Sequence, residues 1–141
     1  MVILLTYATL ALLCDQFSKR AVHTRLASPL PCGRFLRLRE VHHHDRVYDG
    51  MFSRAVLVLV WFSALGSVAW LRSHGALFQT GVATLGAGCL LGGAAGNLTD
   101  ILHRRHVIDF IDLGWWPVFN LADVAIVGGL LLAGASVISH L

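Results

Sequence analysis

Residues 55–98 read AVLVLVWFSALGSVAWLRSHGALFQTGVATLGAGCLLGGAAGNL, two apolar runs that are separated only by the tripeptide at 72–74. Each run approaches the roughly 20 residues that a helix needs to cross the hydrocarbon core of a bilayer. Inside lipid, backbone polar groups must be satisfied within the segment itself, which favours helices. Similar runs open and close the chain. The sequence therefore predicts one all-α integral membrane domain over 1–141, with transmembrane helices at about 1–18, 55–71, 75–98 and 121–141.

The composition is also typical of a protein dissolved in lipid. Hydrophobic residues make up 56% of the 141 residues and charged residues only 13%, whereas soluble domains carry about 25% charged residues. The net charge is only +3, and we expect no nucleic-acid partner. The three cysteines show no CxxC spacing, so we expect neither a disulfide framework nor a thiolate metal site.

The connections between the apolar runs are unequal in length. The three-residue link at 72–74 predicts an antiparallel hairpin of the second and third helices. Four crossings then place the two long connections, 19–53 and 99–120, on one side of the membrane. Both termini and the short link are expected on the other side.

The first long connection has the pattern of a short strand. Residues 34–41 partly alternate apolar and charged side chains, which favours a strand at the membrane surface. Pro29, Pro31 and Gly33 come just before it and predict a turn. The predicted fold class is therefore a four-helix membrane protein with a small extramembrane β-containing segment between helices one and two.

Helix three carries a stripe of small residues at four-residue spacing, Gly88, Gly92 and Gly96. Such a stripe lets another helix approach closely in a membrane. We give it a packing role and no catalytic one.

All eight acidic residues fall at or beyond the membrane face that carries the long connections. They are Asp15, Glu40, Asp45, Asp49, Asp100, Asp109, Asp112 and Asp123. Three predicted helix ends bring Asp15 with Lys19, Asn97 with Asp100, and Asn120 with Asp123 to one depth, and Asp109 lies in the loop between helices three and four. Because ionisable groups in membrane helices are costly and usually functional, we interpret this face as the candidate site.

Ordinary structural roles explain part of this set. Asp15 and Lys19 are four residues apart and could form an ion pair on one helix face. Asn120 with Asp123 has the pattern of a capping box. Asp100 is harder to explain in this way, because the helix dipole disfavours a negative charge near a helix C-terminus. Asp15, at the predicted end of helix one, shares this difficulty. Residues that occupy unfavourable positions are more often functional than structural.

Two neighbouring aspartates at a partly buried site can hydrolyse a peptide bond. They cannot both ionise cheaply, so the pair shares a proton. The ionised member takes a proton from water, and the protonated member polarises the carbonyl and later protonates the leaving amine. No elbow motif surrounds a serine that could serve as the nucleophile instead.

At this point the sequence resembles the bacterial lipoprotein signal peptidase (signal peptidase II) family. Four segments carry the resemblance in the family's order: DQFSK at 15–19, GGAAGNLTD at 92–100, VIDFID at 107–112 and PVFNLADVAI at 117–126. The four-helix topology is similar as well.

The resemblance implies an aspartic endopeptidase of the bacterial cytoplasmic (inner) membrane, with its active site at the outer face. Its substrates would be prolipoproteins that carry diacylglycerol on a cysteine, cut just before that cysteine. Asp109 and Asp123 would be the catalytic pair, and the supporting site residues would be Asp15, Lys19, Asn97, Asp100 and Asn120. The resemblance implies no metal or organic cofactor, contact with membrane lipids, and inhibition by globomycin.

The chain departs from the family pattern in three respects, one of which is its short length, with a compact loop between Asp109 and Asp123. The family's Asn-x-Gly-x-Ala-Phe motif is missing from the first long connection, and Ile101 stands where the family has arginine after the third-helix aspartate. These departures support an alternative, a catalytically weak or silent relative that binds lipidated peptides. A small ion carrier is a further alternative, but the carboxylates cluster at one face and do not cross the bilayer.

The distribution of positive charge conflicts with the implied orientation. Ten of the eleven Lys and Arg residues, all but Arg72, lie on the side of the long connections. Positively charged loops usually face the cytoplasm, whereas the family resemblance places these connections outside. We follow the resemblance.

Two other motifs are given ordinary roles. The three histidines at 42–44 precede Asp45, but consecutive side chains cannot all face one ion, so we expect a solvated loop and no metal site. Trp115, Trp116 and Phe119 are expected to form an interfacial aromatic belt.

Overall fold

The computed structural model describes residues 1–25, 29–32, 36–43, 51–75 and 80–139. In these ranges the chain forms four α-helices and a small sheet. In chain order the elements are α1 (Val2–Arg25), β1 (Leu30–Pro31), β2 (Arg37–His43), α2 (Met51–Ser73), α3 (Gly81–Arg104), β3 (Val107–Asp112) and α4 (Leu121–Ile138). The predicted fold class, a helical membrane protein with a small β-containing segment, is confirmed.

Within these ranges, three helices are long and apolar enough to cross a membrane: α1, α2 from Arg54 onward, and α3. The fourth helix is shorter, and its 18 residues extend about 27 Å, close to the roughly 30 Å of the hydrocarbon core. Large apolar side chains are exposed along α1, α2 and α4, among them Ile3, Leu59 and Leu131. Lipid is the solvent that this surface suits.

The first helix is longer than its apolar run. The sequence predicts an end at about residue 18, but α1 continues to Arg25. Residues 20–25 contain neither proline nor glycine, so nothing breaks the helix where its side chains become polar. At 24 residues, α1 is about 36 Å long and its last turns extend beyond the hydrocarbon core.

The start predicted for the third helix at residue 75 is wrong, and so is the three-residue link. Gly75 has a positive φ of 68°, a conformation that ends α2 and that glycine adopts without steric cost. The helix α3 begins only at Gly81, where the Thr80 side chain accepts a hydrogen bond from the Ala83 amide. At its other end α3 runs to Arg104, six residues beyond the predicted end at about residue 98.

The helix α3 lies at the centre of the bundle and packs against α1, α4 and α2. The predicted glycine stripe faces α1. A Cβ atom placed at Gly92 would overlap with the Ala8 carbonyl, and one at Gly96 would lie 2.5 Å from Asp15 Oδ2. The stripe's packing role is therefore confirmed, and the approach of α1 brings Asp15 against α3.

The strands form one antiparallel sheet in the order β1-β2-β3. The predicted strand is present as β2, but Pro31, assigned to a turn, lies in β1. The interpretation of Asp109 as a loop residue is wrong, because it lies in β3, opposite Val41 of β2. The segment VIDFID is rich in β-branched and aromatic residues, and its buried side chains suit a strand.

A short bridge returns the chain from β3 to α4. The Ile111 amide donates to the Phe119 carbonyl at 2.8 Å, and the Phe119 amide donates back to Ile111 at 3.1 Å. Asn120 follows directly and precedes α4. The bridge thus holds the start of α4 beside the strand that carries Asp109.

Candidate active site

A fully buried lysine lies where α1 meets α3. Lys19 Nζ donates to Asp15 Oδ2 and to Asp100 Oδ2, both at 2.7 Å, and to Asn97 Oδ1 at 3.0 Å. All three ammonium donors are therefore used. Lys19, Asp15 and Asp100 have no exposed surface, and buried charges persist only when they are paired and hydrogen-bonded.

Two further residues complete this ionic cluster. The Arg104 guanidinium pairs with Asp100 Oδ1, so two carboxylates are balanced by two cations. The Gln16 amide donates to Asp15, to Asp100 and to the Gly96 carbonyl at 3.1–3.2 Å. Neither residue was predicted as part of the site. Gln16 lies inside the quoted segment at 15–19, so its position in that motif was the only available signal.

Asn97 connects the ionic cluster to Asp123. Its Oδ1 atom accepts hydrogen bonds from Lys19 Nζ and from Asn120 Nδ2, the latter at 3.2 Å. With the oxygen held in this way, the amide group turns to Asp123, and Nδ2 donates to Asp123 Oδ1 at 2.9 Å. Because Lys19 binds the oxygen of the Asn97 side chain, the nitrogen is the atom that faces Asp123.

Asn120 connects the two predicted catalytic aspartates. Its Oδ1 atom accepts a hydrogen bond from the backbone N–H of Asp123 at 3.0 Å, and the backbone N–H of Asn120 donates to Asp123 Oδ2 at 3.1 Å. This reciprocal pair is the predicted capping box of α4. The remaining side-chain donor, Nδ2, reaches Asp109 Oδ1 at 2.6 Å. One buried residue therefore hydrogen-bonds a carboxylate from β3 through its side chain and a carboxylate from α4 through its backbone N–H.

The two aspartates differ in surroundings. Asp109 is 8% exposed in β3, whereas Asp123 is half-buried in the first turn of α4. Both carboxylate oxygens of Asp123 accept N–H donors, one from the Asn97 side chain and one from the Asn120 backbone. The pair thus lies at the outer edge of a polar network whose inner end is the ionic cluster.

Apolar grooves reach this network from two sides. A groove of about 360 Å³ runs along α4 and is lined by Trp116, Phe119, Asp123 and apolar residues of α4. A second groove of about 230 Å³ lies between α2 and α3 and contains Asn97 among apolar residues that include Ile101. A ligand that fits here presents apolar groups to the grooves and a polar group to the aspartates.

All seven predicted site residues lie in one connected hydrogen-bond network. The dipole argument for Asp15 does not apply, because α1 continues ten residues beyond it.

In the part of the chain that the structure describes, no three His, Cys, Asp or Glu side chains are placed to hold a metal ion. The side chains of residues 42–45 lie outside the described residues. Trp115 and Trp116 are 75% and 57% exposed, and Trp116 also lines a groove.

Solved structures support the fold. A structure described as a bacterial membrane enzyme superposes with a TM-score of 0.79 at 18% identity, covering 99% of this chain and 89% of that chain. A second structure with the same description superposes with a TM-score of 0.79 at 19% identity, covering 96% and 92%. At these identities the likeness shows the fold alone.

Sequence relatives are more informative. A lipoprotein signal peptidase of Moorella thermoacetica is 37% identical over 132 residues, which cover 91% of this chain and 87% of that relative. One of Syntrophomonas wolfei is 67% identical over 49 residues, 34% of this chain and 33% of that relative. The profile of the family described as Signal peptidase (SPase) II matches residues 7–139. From this nearly full-length match and the Moorella relative, we conclude that the chain belongs to the signal peptidase II family.

Proposed function

We propose that this protein is an aspartic endopeptidase that removes the signal peptide from prolipoproteins, with Asp109 and Asp123 as the catalytic pair. The observation that carries the proposal is the contact of both aspartates with Asn120, through its side chain to Asp109 and through its capping box to Asp123. Two carboxylates from different elements are thereby hydrogen-bonded by one buried residue, in a chain whose family consists of signal peptidases.

The hydrogen bonds suggest how the two aspartates divide the reaction. Asp123 accepts N–H donors at both oxygens, which suits an ionised carboxylate, so we assign it the role of base. It takes a proton from the attacking water, whose oxygen bonds to the scissile carbonyl carbon. Asp109 is assigned the role of acid: it hydrogen-bonds to the carbonyl oxygen during the attack and then gives its one proton to the amine as the carbon–nitrogen bond breaks. The pair still holds one proton, which is now the one that Asp123 took from water.

The remaining site residues position this pair. Lys19 holds the Asn97 side chain, and Asn97 in turn orients Asp123. Asp15 accepts a hydrogen bond from the Ala122 amide at 2.9 Å, so it ties α1 to the first turn of α4, next to Asp123. Asp100 balances the charge of the lysine. Neither a metal nor an organic cofactor enters the proposed reaction.

The apolar grooves support a lipidated substrate in the membrane. They flank Asp123 and Asn97 within helices that suit lipid, and a diacylglyceryl-modified cysteine carries both acyl chains and a peptide bond. We therefore propose cleavage just before the lipidated cysteine, and binding of globomycin-type inhibitors at the same site. Because the mature part of such a substrate is exported, we place the site at the outer face of the bacterial inner membrane.

The second candidate, a relative that binds lipidated peptides without cutting them, also has an observation in its favour. Ile101 is 6% exposed and contributes an apolar wall to the groove that contains Asn97. The arginine that the family has at this position is thus replaced by a side chain without a charge. Arg104, one turn later, makes the ion pair with Asp100.

Cleavage by purified protein tests the proposal. The chain in detergent is incubated with a diacylglyceryl-modified prolipoprotein and with the same protein lacking the lipid, and products are identified by mass. We expect cleavage only of the lipidated form, and a loss of at least about 100-fold in Asp109→Asn and Asp123→Asn. Asp112→Asn is the matched control for Asp109→Asn, because it makes the same change in β3 but outside the network around Asn120. This variant is expected to retain cleavage.

Unchanged cleavage in both dyad variants would overturn the assignment of the catalytic pair. A folded wild-type protein that binds the lipidated peptide but does not cut it would instead establish the second candidate.

A further inference from the structure

Positive and negative charges are separated by depth on the side of the bundle that carries the sheet. Among the residues whose side chains the structure describes, no aspartate or glutamate is exposed. Five of the described arginines are exposed, and all belong to this side: Arg20, Arg25, Arg37, Arg39 and Arg105. Apart from Arg39, which pairs with Asp112, they make no ion pair with a described carboxylate. We call these five residues the arginine face.

The arginine face lies where the helices leave the membrane. Arg20 and Arg25 are in the last turns of α1, beyond its apolar run, and Arg105 follows the last residue of α3. The strand β2, which contributes Arg37 and Arg39, contacts α1 and pairs with β3. Helix ends that contain arginine lie at the depth of the lipid headgroups, because the long side chains extend from the apolar core to the interface.

Arg105 occupies a backbone position that favours another residue. It caps α3 in the left-handed conformation, with φ 65° and ψ 9°, where glycine or asparagine is usual. An arginine here costs steric energy that a glycine would not. A residue other than glycine or asparagine in this conformation is a reason to look for a function of its side chain.

We propose that the arginine face binds anionic phospholipid headgroups and so holds a shell of acidic lipid around the mouth of the candidate site. Guanidinium groups match phosphate oxygens with two parallel hydrogen bonds, and they lose less hydration than an ammonium group does. The face offers no exposed carboxylate among the described residues to repel such a headgroup. The partner is a lipid and not a soluble anion, because the arginines border the ends of membrane-spanning helices.

Retention of lipid by the purified protein tests this. The chain is placed in mixed micelles containing equal amounts of phosphatidylglycerol and phosphatidylcholine with identical acyl chains, and bound lipids are counted by native mass spectrometry. We expect preferential retention of phosphatidylglycerol. Each arginine removed should weaken this retention about five-fold, the factor that corresponds to about 1 kcal/mol for a basic residue near an anionic surface. Raising the salt concentration from 0.1 M to 1 M should weaken it further, because screening shortens the range of the attraction from about 10 Å to 3 Å.

Arg105 provides a pair of variants that separates charge from folding. Arg105→Gly removes the cation but relieves the left-handed backbone, so its unfolding temperature should not fall while its retention of phosphatidylglycerol does. Arg105→Lys keeps a cation and should retain most of the binding. Arg37→Gln repeats the test on the strand.

Equal retention of the two lipids, or wild-type retention by both Arg105→Gly and Arg37→Gln, would overturn the proposal. Because the count of bound lipids requires no cleavage, it is independent of the proposed peptidase activity.

Discussion

At the residue scale, Asn120 shows that a structural role and a functional one can belong to the same side chain. Its Oδ1 atom caps α4 by accepting from the Asp123 amide, while its Nδ2 atom donates to Asp109. Sequence alone presents the capping box and the site residue as alternatives. The geometry joins them, because the amide has one acceptor and two donors and uses each group for a different neighbour.

This double role predicts the behaviour of Asn120→Asp. Aspartate caps a helix about as well as asparagine does, so the cap of α4 should be kept, and any loss of stability should come from the carboxylate buried beside Asp109. The side chain, however, would face Asp109 with a carboxylate oxygen where the wild type has a donor. We expect cleavage to fall by about 100-fold or more at neutral pH.

Asn120→Ala serves as the comparison, because it should lose the cap as well and cost about 1 kcal/mol of stability. If Asn120→Asp cut at the wild-type rate, the donor to Asp109 would have no part in the reaction.

How much of the site could be predicted from sequence depends on the kind of contact. The pair Asp15 and Lys19 follows from helical spacing, since residues four apart share a face. Its burial does not follow, because only the fold brings Asp100 and Asn97 to the same ammonium group. Gln16 was missed for this reason: its partners are on its own helix and on α3, and no local pattern indicates the second set.

At the element scale, β3 is the feature that sequence reasoning lacked. A single strand of six residues between two helices gives little periodicity, and its partner β2 lies more than 60 residues earlier in the chain. The loop interpretation of Asp109 failed because strand pairing is a non-local property. The helices were found because apolar length is local, but their ends were misplaced where capping and glycine, not hydropathy, decide them.

The link between β2 and β3 predicts a dependence of stability on pH. The Gly114 amide and the Arg39 side chain hydrogen-bond the Asp112 carboxylate and lower its pKa from the ordinary value of 3.8. A lowered pKa in the folded state stabilises the protein above the unfolded-state value, and this contribution is lost as the pH falls through the folded-state pKa. Asp112→Asn should therefore unfold more easily than wild type at pH 7.

Chemical denaturation of the two proteins across pH measures this. The difference in unfolding free energy should be constant above about pH 5 and should shrink on acidification below pH 4. A difference that grows as the pH falls would contradict the sign of the shift.

The close contact between α1 and α3 predicts a second effect on stability. At Gly92 an added methyl group would meet Ala8 Cα and Ala11 Cβ at 2.8 Å, so Gly92→Ala forces the helices apart. Overpacking of this kind typically costs about 1–3 kcal/mol. Gly66→Ala on α2 is the matched control, since nothing lies within 4 Å of its added methyl and alanine is the better helix former. Thermal unfolding in detergent should show a lower midpoint for Gly92→Ala only, and equal midpoints would show that α1 is not tightly held by the stripe.

At the scale of the whole molecule, the bundle separates the site from both chain ends. Polar residues of α1, α3 and α4 meet at the end where β2 and β3 lie, whereas the turn after α2 and the capping residue Thr80 lie at the other end. The excess of Lys and Arg on the site side would place that side in the cytoplasm by the usual rule. A peptidase acting on exported lipoproteins needs the opposite orientation.

We expect the site to face outward, which puts the C-terminus of α4 in the cytoplasm. The rule reflects a statistical preference during insertion, whereas the position of the substrate's exported part is a requirement of the proposed reaction. A reporter that is active only in the cytoplasm, fused after residue 141, should therefore be active, and the same reporter inserted in the connection between α1 and α2 should be silent. The reverse pattern would place the aspartates on the cytoplasmic side. It would then exclude cleavage of exported prolipoproteins even if the purified protein cuts peptides, because the scissile bond and the dyad would lie on opposite faces of the membrane.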